Sequence, residues 1–205
     1  TAYAVNPNNG SEDGMGWNYI LQIARFNRVI AITRENNQDA IEAYMQQNPD
    51  ERYERIQFLY FDCPYWMRFW KKGSRGAMLY FLLWQKQVVR FIKKQDLAFD
   101  IIHNLNFHND WTPSWLWQVK KPFVWGPIGH HPKIPAQYLK PYAKKYLIKD
   151  RLTWWVKNYF WKISGALRKT IQQADHVMVM NSGVTNHISL KGNFSVNSSV
   201  ATQDF

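Results

Sequence analysis

The chain alternates short apolar runs rich in β-branched residues with longer segments whose apolar positions recur at helical spacing. The short runs predict six strands, over 1–5, 28–33, 55–61, 99–107, 122–129 and 175–181. The longer segments predict helices that start near Gly16 and at 37–47, 76–94, 113–119, 151–174 and 182–192. This alternation predicts a single α/β domain over 1–205, a Rossmann-like, doubly wound parallel sheet of about six strands with helices on both faces.

In such a sheet, ligands bind at the carboxyl ends of the strands. Those ends carry the segments 6–16, 33–37, 103–110, 125–131 and 181–183. Four of the six histidines fall within them, namely His103, His108, His130 and His131. Histidines at strand ends can hydrogen-bond a ligand or act as an acid or base. We therefore expect the functional site at this edge of the sheet.

The segment "NPNNGSEDGMGW", residues 6–17, is rich in glycine and polar residues and precedes the first predicted helix. Backbone N–H groups at a helix N-terminus attract phosphate. The glycine spacing, G-x-x-x-G-x-G, matches neither the dinucleotide fingerprint nor the phosphate-binding loop. Glu12 and Asp13 would repel phosphate but can accept hydrogen bonds from sugar hydroxyls. The segment predicts a nucleotide or sugar site; the alternative is a loop that only turns the chain.

Several chemistries find little support in the sequence. His103 and His108 are five residues apart with no cysteine nearby, a spacing that does not favour a metal site. No glutamate follows Glu54, which disfavours hydrolysis by paired carboxylates, and no G-x-S-x-G motif is present. An NAD-type oxidoreductase is disfavoured because Thr33 and Arg34 stand where an acid is needed. The single cysteine, Cys63, excludes an intramolecular disulfide and suits a reducing compartment.

The net charge of +11 is concentrated in two stretches. Residues 64–95 hold eight Lys or Arg and no acid, and residues 133–169 hold ten against Asp150 alone. Such local basic character indicates an anionic partner, which could be phosphate, nucleic acid or lipid headgroups. The longest apolar run, 77–84, is far shorter than the roughly 20 residues of a membrane span.

An aromatic and basic helix is predicted within the second basic stretch. Interleaved aromatic and basic residues are typical of helices that lie on anionic lipid. The residues expected to contact a membrane are Trp154, Trp155, Lys157, Trp161 and Lys162. The alternative is an ordinary helix whose aromatic residues pack on the sheet while its lysines are solvated.

Six blocks of the chain, in their order and spacing, resemble a known family. They are "NPNNGSEDGMGW", "AITRENNQDAIE", "LYFLLWQ", "FDIIHNLNF", "PSWLWQVKKPFVWGPIG" and "ADHVMVMNS". The resemblance is to the N-terminal half of bacterial glycosyltransferases of family 4 (group 1) and covers nearly all of the chain. Close members carry a G-S-E-x-G-x-G-W loop, a T-R-x-N-N turn, an F-D-x-x-H strand and a P-F-V-W-G-P-x-G strand.

The resemblance implies one half of a GT-B fold, in which two Rossmann-like domains face each other across a cleft. Such enzymes transfer a sugar from a nucleotide-sugar with retention at the anomeric carbon. They need no cofactor beyond this co-substrate and no metal bound by an Asp-x-Asp motif. The N-terminal domain mainly holds the acceptor. Since the chain ends at Phe205, we expect the nucleotide-binding domain to be missing and the 205 residues to be inactive alone.

By the same resemblance, His130 has the position of the family's active-site histidine, which helps to place the donor sugar. The residues expected to bind substrate are Gly10, Ser11, Glu12, Gly14, His103, Asn106, His108, Gly129 and His131. Close relatives often have Gly-Gly-Gly-Glu after the W-G-P motif, where this chain has "GHHP" over 129–132. This departure leaves the roles of His130 and His131 open.

The resemblance and the charge together predict the acceptor-binding domain of a transferase for cell-surface polysaccharide synthesis. Its partners would be a nucleotide-sugar, a glycan or lipid-linked acceptor and an anionic membrane surface, without nucleic acid. The expected location is cytoplasmic, peripheral on the inner face of the cytoplasmic membrane. The alternative is a non-catalytic basic α/β module that binds anionic lipid or nucleic acid.

Overall fold

Parallel strands alternate with helices throughout the computed structural model, which describes residues 1–73, 75–105 and 108–197, except for the side chain of His108. The strands are β1 (Val29–Thr33), β2 (Ile56–Tyr60), β3 (Ile102–Asn104), β4 (His108–Asn109), β5 (Phe123–Gly129), β6 (His176–Val179) and β7 (Phe194–Val196). The α-helices are α1 (Ser11–Ala24), α2 (Gln38–Gln47), α3 (Tyr65–Arg68), α4 (Ala77–Lys94), α5 (Ala136–Leu139), α6 (Lys144–Lys162) and α7 (Gly165–Gln173). Short 3-10 helices cover Glu35–Asn37, Glu51–Arg55 and Leu116–Val119.

The strands form two parallel groups that the N-terminal segment joins. One group is β1 with β2; the other has the order β3-β5-β6-β7, with β4 also paired to β5. The Ala2 N–H donates to the Ile32 carbonyl at 2.9 Å, and the Leu105 N–H donates to the Thr1 carbonyl at 2.9 Å. The predicted first strand is therefore an extended segment between β1 and β3. The parallel order across both groups is β2-β1-segment 1–5-β3-β5-β6-β7.

Two apolar clusters cover the opposite faces of this sheet. Because side chains alternate along a strand, Ala31 belongs to the cluster that contains Trp17 of α1 and Ile41 of α2. Its neighbour Ile32 belongs to the cluster that contains Trp84 of α4. Helices therefore pack on both faces, and the predicted Rossmann-like α/β fold is confirmed.

Helix α1 begins at Ser11, five residues earlier than predicted. The reason lies in the glycines, which sequence reasoning took as signs of a loop. A Cβ at Gly14 would contact the Asn9 carbonyl, and a Cβ at Gly16 would contact the Ala4 carbonyl. The missing side chains let the helix pass close to the chain's own backbone. Ser11, at the start of the helix, has a φ of 58°, in the left-handed region.

The predicted helix 151–174 is two helices, because the chain turns at Ile163 and Ser164. The Ser164 side chain accepts a hydrogen bond from the Leu167 N–H at 3.3 Å and so caps α7. This capping residue lies inside a continuous helical pattern, which concealed the break.

Two further predicted helices differ from the structure. The segment 113–119 forms a 3-10 helix only over Leu116–Val119. The segment 182–192 forms turns, in which the Val184 carbonyl accepts from the N–H groups of His187 and Ile188. Strand β7, which was not predicted, follows and pairs with β6.

Candidate functional site

His130 and Asp110 meet at the carboxyl edge of the sheet because their strands are paired there. Asn109, the last residue of β4, lies opposite Gly129, the last residue of β5, and each is followed by one of the two side chains. Nδ1 of His130 lies 2.8 Å from Oδ2 of Asp110, and their side chains are only 8% and 2% exposed. Since a carboxylate can only accept, Nδ1 carries the proton and Nε2 is left as the acceptor or base.

The backbone of His130 is held by the neighbouring strand end. Asn181 follows β6, and its Oδ1 accepts from the His130 N–H at 3.3 Å while its Nδ2 donates to the His130 carbonyl at 3.2 Å. Both hydrogen bonds fix the direction in which the chain leaves β5. The imidazole is thus positioned by two adjacent strand ends, through its ring and through its backbone.

Aromatic rings enclose the Asp110–His130 pair. His187 stacks on His130 with ring centroids 4.0 Å apart, and Trp161 stacks on His187 at 4.6 Å. Trp154 lies 6.2 Å from His130 and 5.6 Å from Trp161. Burial lowers the pKa of His187. We refer to Asp110, His130, Trp154, Trp161 and His187 as the His130 cluster.

Lys157 supplies a cation beside this cluster. Its Nζ lies 4.8 Å from the centre of the Trp154 ring, a cation–π distance. Burial lowers the pKa of Lys157, whereas the carboxylates of Asp110 and Asp150 act in the opposite direction. The Lys157 ammonium thus lies beside the indole of Trp154 and within electrostatic range of both carboxylates.

The histidine and glycine residues predicted elsewhere at this edge lie in different surroundings. Nε2 of His103 is 2.7 Å from the Gly126 carbonyl, to which it donates, and burial lowers the pKa of His103 to about 4. Gly129 is buried at the end of β5, whereas His131 is exposed. Asn106 and the side chain of His108 lie outside the described residues.

The predicted glycine-rich segment folds onto the start of α1. Gly10 and Ser11 are exposed, and the Asn6 N–H donates to the Asp13 carbonyl at 3.1 Å. Glu12 is partly buried; burial, followed by the charge of Asp13, raises its pKa to about 7. The segment follows the extended residues 1–5 and therefore lies at the same edge as the His130 cluster. Gly14 is within α1 and faces the chain's own backbone.

Replacing Glu12 by glutamine should remove a pH dependence of stability. The pKa of Glu12 is raised from 4.5 to about 7, so the folded chain holds this proton while the unfolded chain releases it. The stability of the wild type should therefore fall as pH rises from 4.5 to about 7. Urea unfolding should find Glu12→Gln more stable than the wild type above this range, with the difference closing near the lower limit. Glu54→Gln, at an exposed position, is the control; an unchanged pH profile for Glu12→Gln would contradict the prediction.

The residues predicted to contact a membrane lie on two faces of α6. Trp154, Lys157 and Trp161 are partly buried on the side of α6 that faces His130, since positions three and four apart share a helix face. Trp155, which is 69% exposed, and Lys162 lie on the other side. None of the residues of α6 is fully buried.

The outward face of α6 carries a continuous row of exposed apolar residues. At about 100° per residue, the row covers one side of the helix, opposite Lys157. Its members are Ile148, Leu152, Trp155, Tyr159 and Ile163 at the helix end, with exposures of 66, 60, 69, 46 and 67%. Exposed lysines flank it on both sides, namely Lys144, Lys145, Lys149 and Lys162. We call this row the α6 stripe.

His187 was missed by sequence reasoning because a helix was predicted over its segment. The available clue was its position, soon after the carboxyl end of β6, which is the strand beside β5. Adjacent parallel strands end at the same edge, so side chains that follow them can meet. The stripe was missed because the composition of a helix does not identify its buried face.

Other candidate features lie elsewhere or are absent from the described part of the chain. No three His, Cys, Asp or Glu side chains among those residues could hold a metal ion. Nor does any helix there have the length and apolar character needed to cross a membrane. An open cavity of about 570 Å³ lies near the end of α1 and the segment 50–55, before the amino ends of β1 and β2. It contains none of the predicted site residues.

Comparisons with known proteins return no relative for this chain. No protein-family model, curated protein or solved structure gives a significant match.

Proposed function

We propose that this chain is the acceptor-binding domain of a retaining glycosyltransferase of the family 4 (group 1) type. The enzyme would transfer a sugar from a nucleotide-sugar to a lipid-linked or polysaccharide acceptor in cell-surface polysaccharide synthesis. The observation that carries the proposal is the His130 cluster, which follows the W-G-P-x-G strand at the carboxyl edge of the sheet. A second, nucleotide-binding domain of the GT-B fold would hold most of the donor.

The chemistry of the cluster supports a sugar ligand. Trp154 and Trp161 offer flat apolar surfaces that suit the C–H face of a pyranose ring. Asp110 fixes the tautomer of His130, so Nε2 can accept a hydrogen bond from a sugar hydroxyl. Lys157 offers a charge to the phosphate of a donor or lipid-linked acceptor. Each group thus has a separate part of the ligand to bind.

Access to His130 requires α6 to move. Only 8% of the His130 side chain is exposed, because Trp154 and Trp161 of α6 lie over it. None of the residues of α6 is fully buried, but Phe160 and Trp161 pack against the core of the domain, and the shift would separate them from it. The proposed transferase therefore binds its sugar after a shift of α6.

The α6 stripe supports a peripheral location on the inner face of the cytoplasmic membrane. An apolar row with lysines on both flanks suits a helix that lies in the headgroup region of an anionic leaflet. A lipid-linked acceptor is found at the same surface. Docking would bring the carboxyl edge of the sheet close to it.

The test compares the two adjacent histidines in the gene product that contains this domain and its nucleotide-binding domain. Nucleotide-sugar consumption is measured with UDP-, GDP- and dTDP-sugars and lipid-linked acceptors. His130→Ala should lower transfer by about a hundredfold, as expected when a positioned polar group is lost. His131→Ala, at an exposed position, should cost less than about tenfold. Full transfer by His130→Ala, or no turnover of any donor by the wild type, would refute the proposal.

The α6 stripe also favours a second candidate, a non-catalytic basic module that binds anionic lipid or nucleic acid. This candidate needs the stripe and the charge but not the His130 cluster. Vesicle binding that is unaffected by His130→Ala, in a gene product without transfer activity, would support the lipid form. Steeply salt-dependent DNA binding without any effect of anionic vesicles would support the nucleic-acid form.

A further inference from the structure

A second exposed apolar and basic surface lies between β2 and α4. Tyr65, Trp66 and Phe69 are 76, 72 and 58% exposed, although aromatic side chains of this size are usually buried. Basic residues follow within six positions of Phe69, namely Lys71, Lys72 and Arg75. We call these six residues the β2–α4 surface. It lies within the stretch 64–95, which contains no acid.

The surface is presented by a well-anchored segment. At its root, the Tyr80 hydroxyl donates to Asp62 at 2.5 Å and accepts from the Cys63 N–H at 3.1 Å. Within it, the side chains of Met67 and Trp70 pack against the core of the domain. The segment therefore directs some apolar side chains inward and others outward at fixed positions. The exposed aromatic residues belong to an ordered platform.

Chain topology places this surface at the same edge of the sheet as the His130 cluster. The segment leaves the carboxyl end of β2, and α4 then runs back toward the amino end of β3. Residues 130–163 likewise leave the carboxyl end of β5, and α7 runs back toward β6. Both exposed surfaces thus belong to connections at the carboxyl edge. They lie at different positions along it, since β2 and β5 are separated in the sheet order.

We propose that the β2–α4 surface is a second docking site for an anionic bilayer and acts together with the α6 stripe. This inference rests on the proposed membrane location and extends it to a two-point contact. Aromatic side chains are favoured at the membrane interface, and basic residues near an anionic leaflet add electrostatic attraction. Double-stranded nucleic acid would match the charge but would leave the outward aromatic side chains in water; stacking of a single strand on them is an outcome of the test. Two separated contacts fix the orientation of the domain, so its carboxyl edge faces the bilayer.

The test measures partition of the chain onto phosphatidylcholine vesicles with and without phosphatidylglycerol, by sedimentation. Trp66→Glu/Phe69→Glu should weaken binding to the anionic vesicles by about tenfold or more, as should Leu152→Glu/Trp155→Glu on the α6 stripe. Combining the four changes should abolish binding. Phe26→Glu is the matched control, because Phe26 is 79% exposed and lies outside both surfaces; its effect should stay within about twofold.

A charge-neutral double variant, Trp66→Ser/Phe69→Ser, separates the effect of lost apolar contact from that of added negative charge. The urea unfolding midpoint of each variant verifies that it is folded. Wild-type vesicle binding by both pairs at 66 and 69 would overturn the two-point contact while leaving the proposed transferase intact. An equal loss with Phe26→Glu would overturn it in favour of non-specific charge attraction. Competition by DNA without vesicle binding would overturn it in favour of nucleic acid. Failure of the proposed function is read separately, from nucleotide-sugar turnover by His130→Ala.

Discussion

Asp110→Ala is expected to lower the free energy of unfolding by roughly 2 to 4 kcal/mol and to remove sugar transfer. The carboxylate is 2% exposed and lies 2.8 Å from Nδ1 of His130, which is itself nearly covered. Removing one partner of a buried pair leaves the other without its hydrogen bond in a dry environment, and this costs more than the pair contributes. The imidazole would also lose the group that selects its tautomer. Urea unfolding measures the first effect and nucleotide-sugar turnover the second.

Two comparisons sharpen this test. A cycle of Asp110→Ala, His130→Ala and the double variant isolates the coupling energy, which we expect to exceed about 1 kcal/mol. Glu35→Ala removes the carboxylate of an exposed pair with Arg68, at 3.5 Å, and should change stability by less than about 0.5 kcal/mol. A cycle with no coupling would show that the contact does not hold the two residues together. Asp110→Asn keeps an acceptor of the same shape and should retain most of the stability.

Gly16→Ala is expected to destabilise the fold by about 2 kcal/mol, although alanine normally stabilises a helix interior by up to about 1 kcal/mol relative to glycine. The added methyl group would collide with the Ala4 carbonyl. That carbonyl belongs to the extended segment that joins the two groups of strands, so relief of the collision disturbs the centre of the sheet. Thermal or urea unfolding measures directly whether Gly16→Ala stabilises or destabilises the fold.

Gly165→Ala is the matched control for Gly16→Ala. Gly165 is also helical, at the first residue of α7, but a Cβ there would have no atom within 4 Å. The substitution should therefore be neutral or stabilise by about 0.5 kcal/mol. If both substitutions change the free energy of unfolding in the same direction, the close approach of α1 to residue 4 is not the reason that position 16 requires glycine.

The sheet could be predicted because its strands and the helices between them are each determined by local sequence patterns. Short β-branched runs such as 29–33 bury both faces, and amphipathic helices between them imply parallel crossovers. The rule that ligands bind at carboxyl strand ends then selected His130 and the segment 103–110, although Asp110 itself was not predicted as a site residue. Their pairing follows from the register of two residues, Asn109 and Gly129. The site was predictable to this extent.

The rest depends on contacts that sequence spacing does not encode. A glycine that permits backbone approach and a glycine that forms a loop look the same in sequence, so the start of α1 at Ser11 was misplaced. Ser164 inside a helical pattern gave no sign that α6 and α7 are separate. The face of α6 toward His130 could not be chosen either, because tryptophans occur on both sides, at 154 and 155.

Helix α6 has two different sides: one covers the imidazole of His130, and the other carries the exposed α6 stripe. Under the proposed function, contact between lipid and the α6 stripe would therefore act on the helix that covers His130. We expect α6 to keep His130 covered in a molecule away from the membrane, which would limit hydrolysis of the nucleotide-sugar by water. Catalytic competence would then depend on location, through a single helix that senses where the acceptor is.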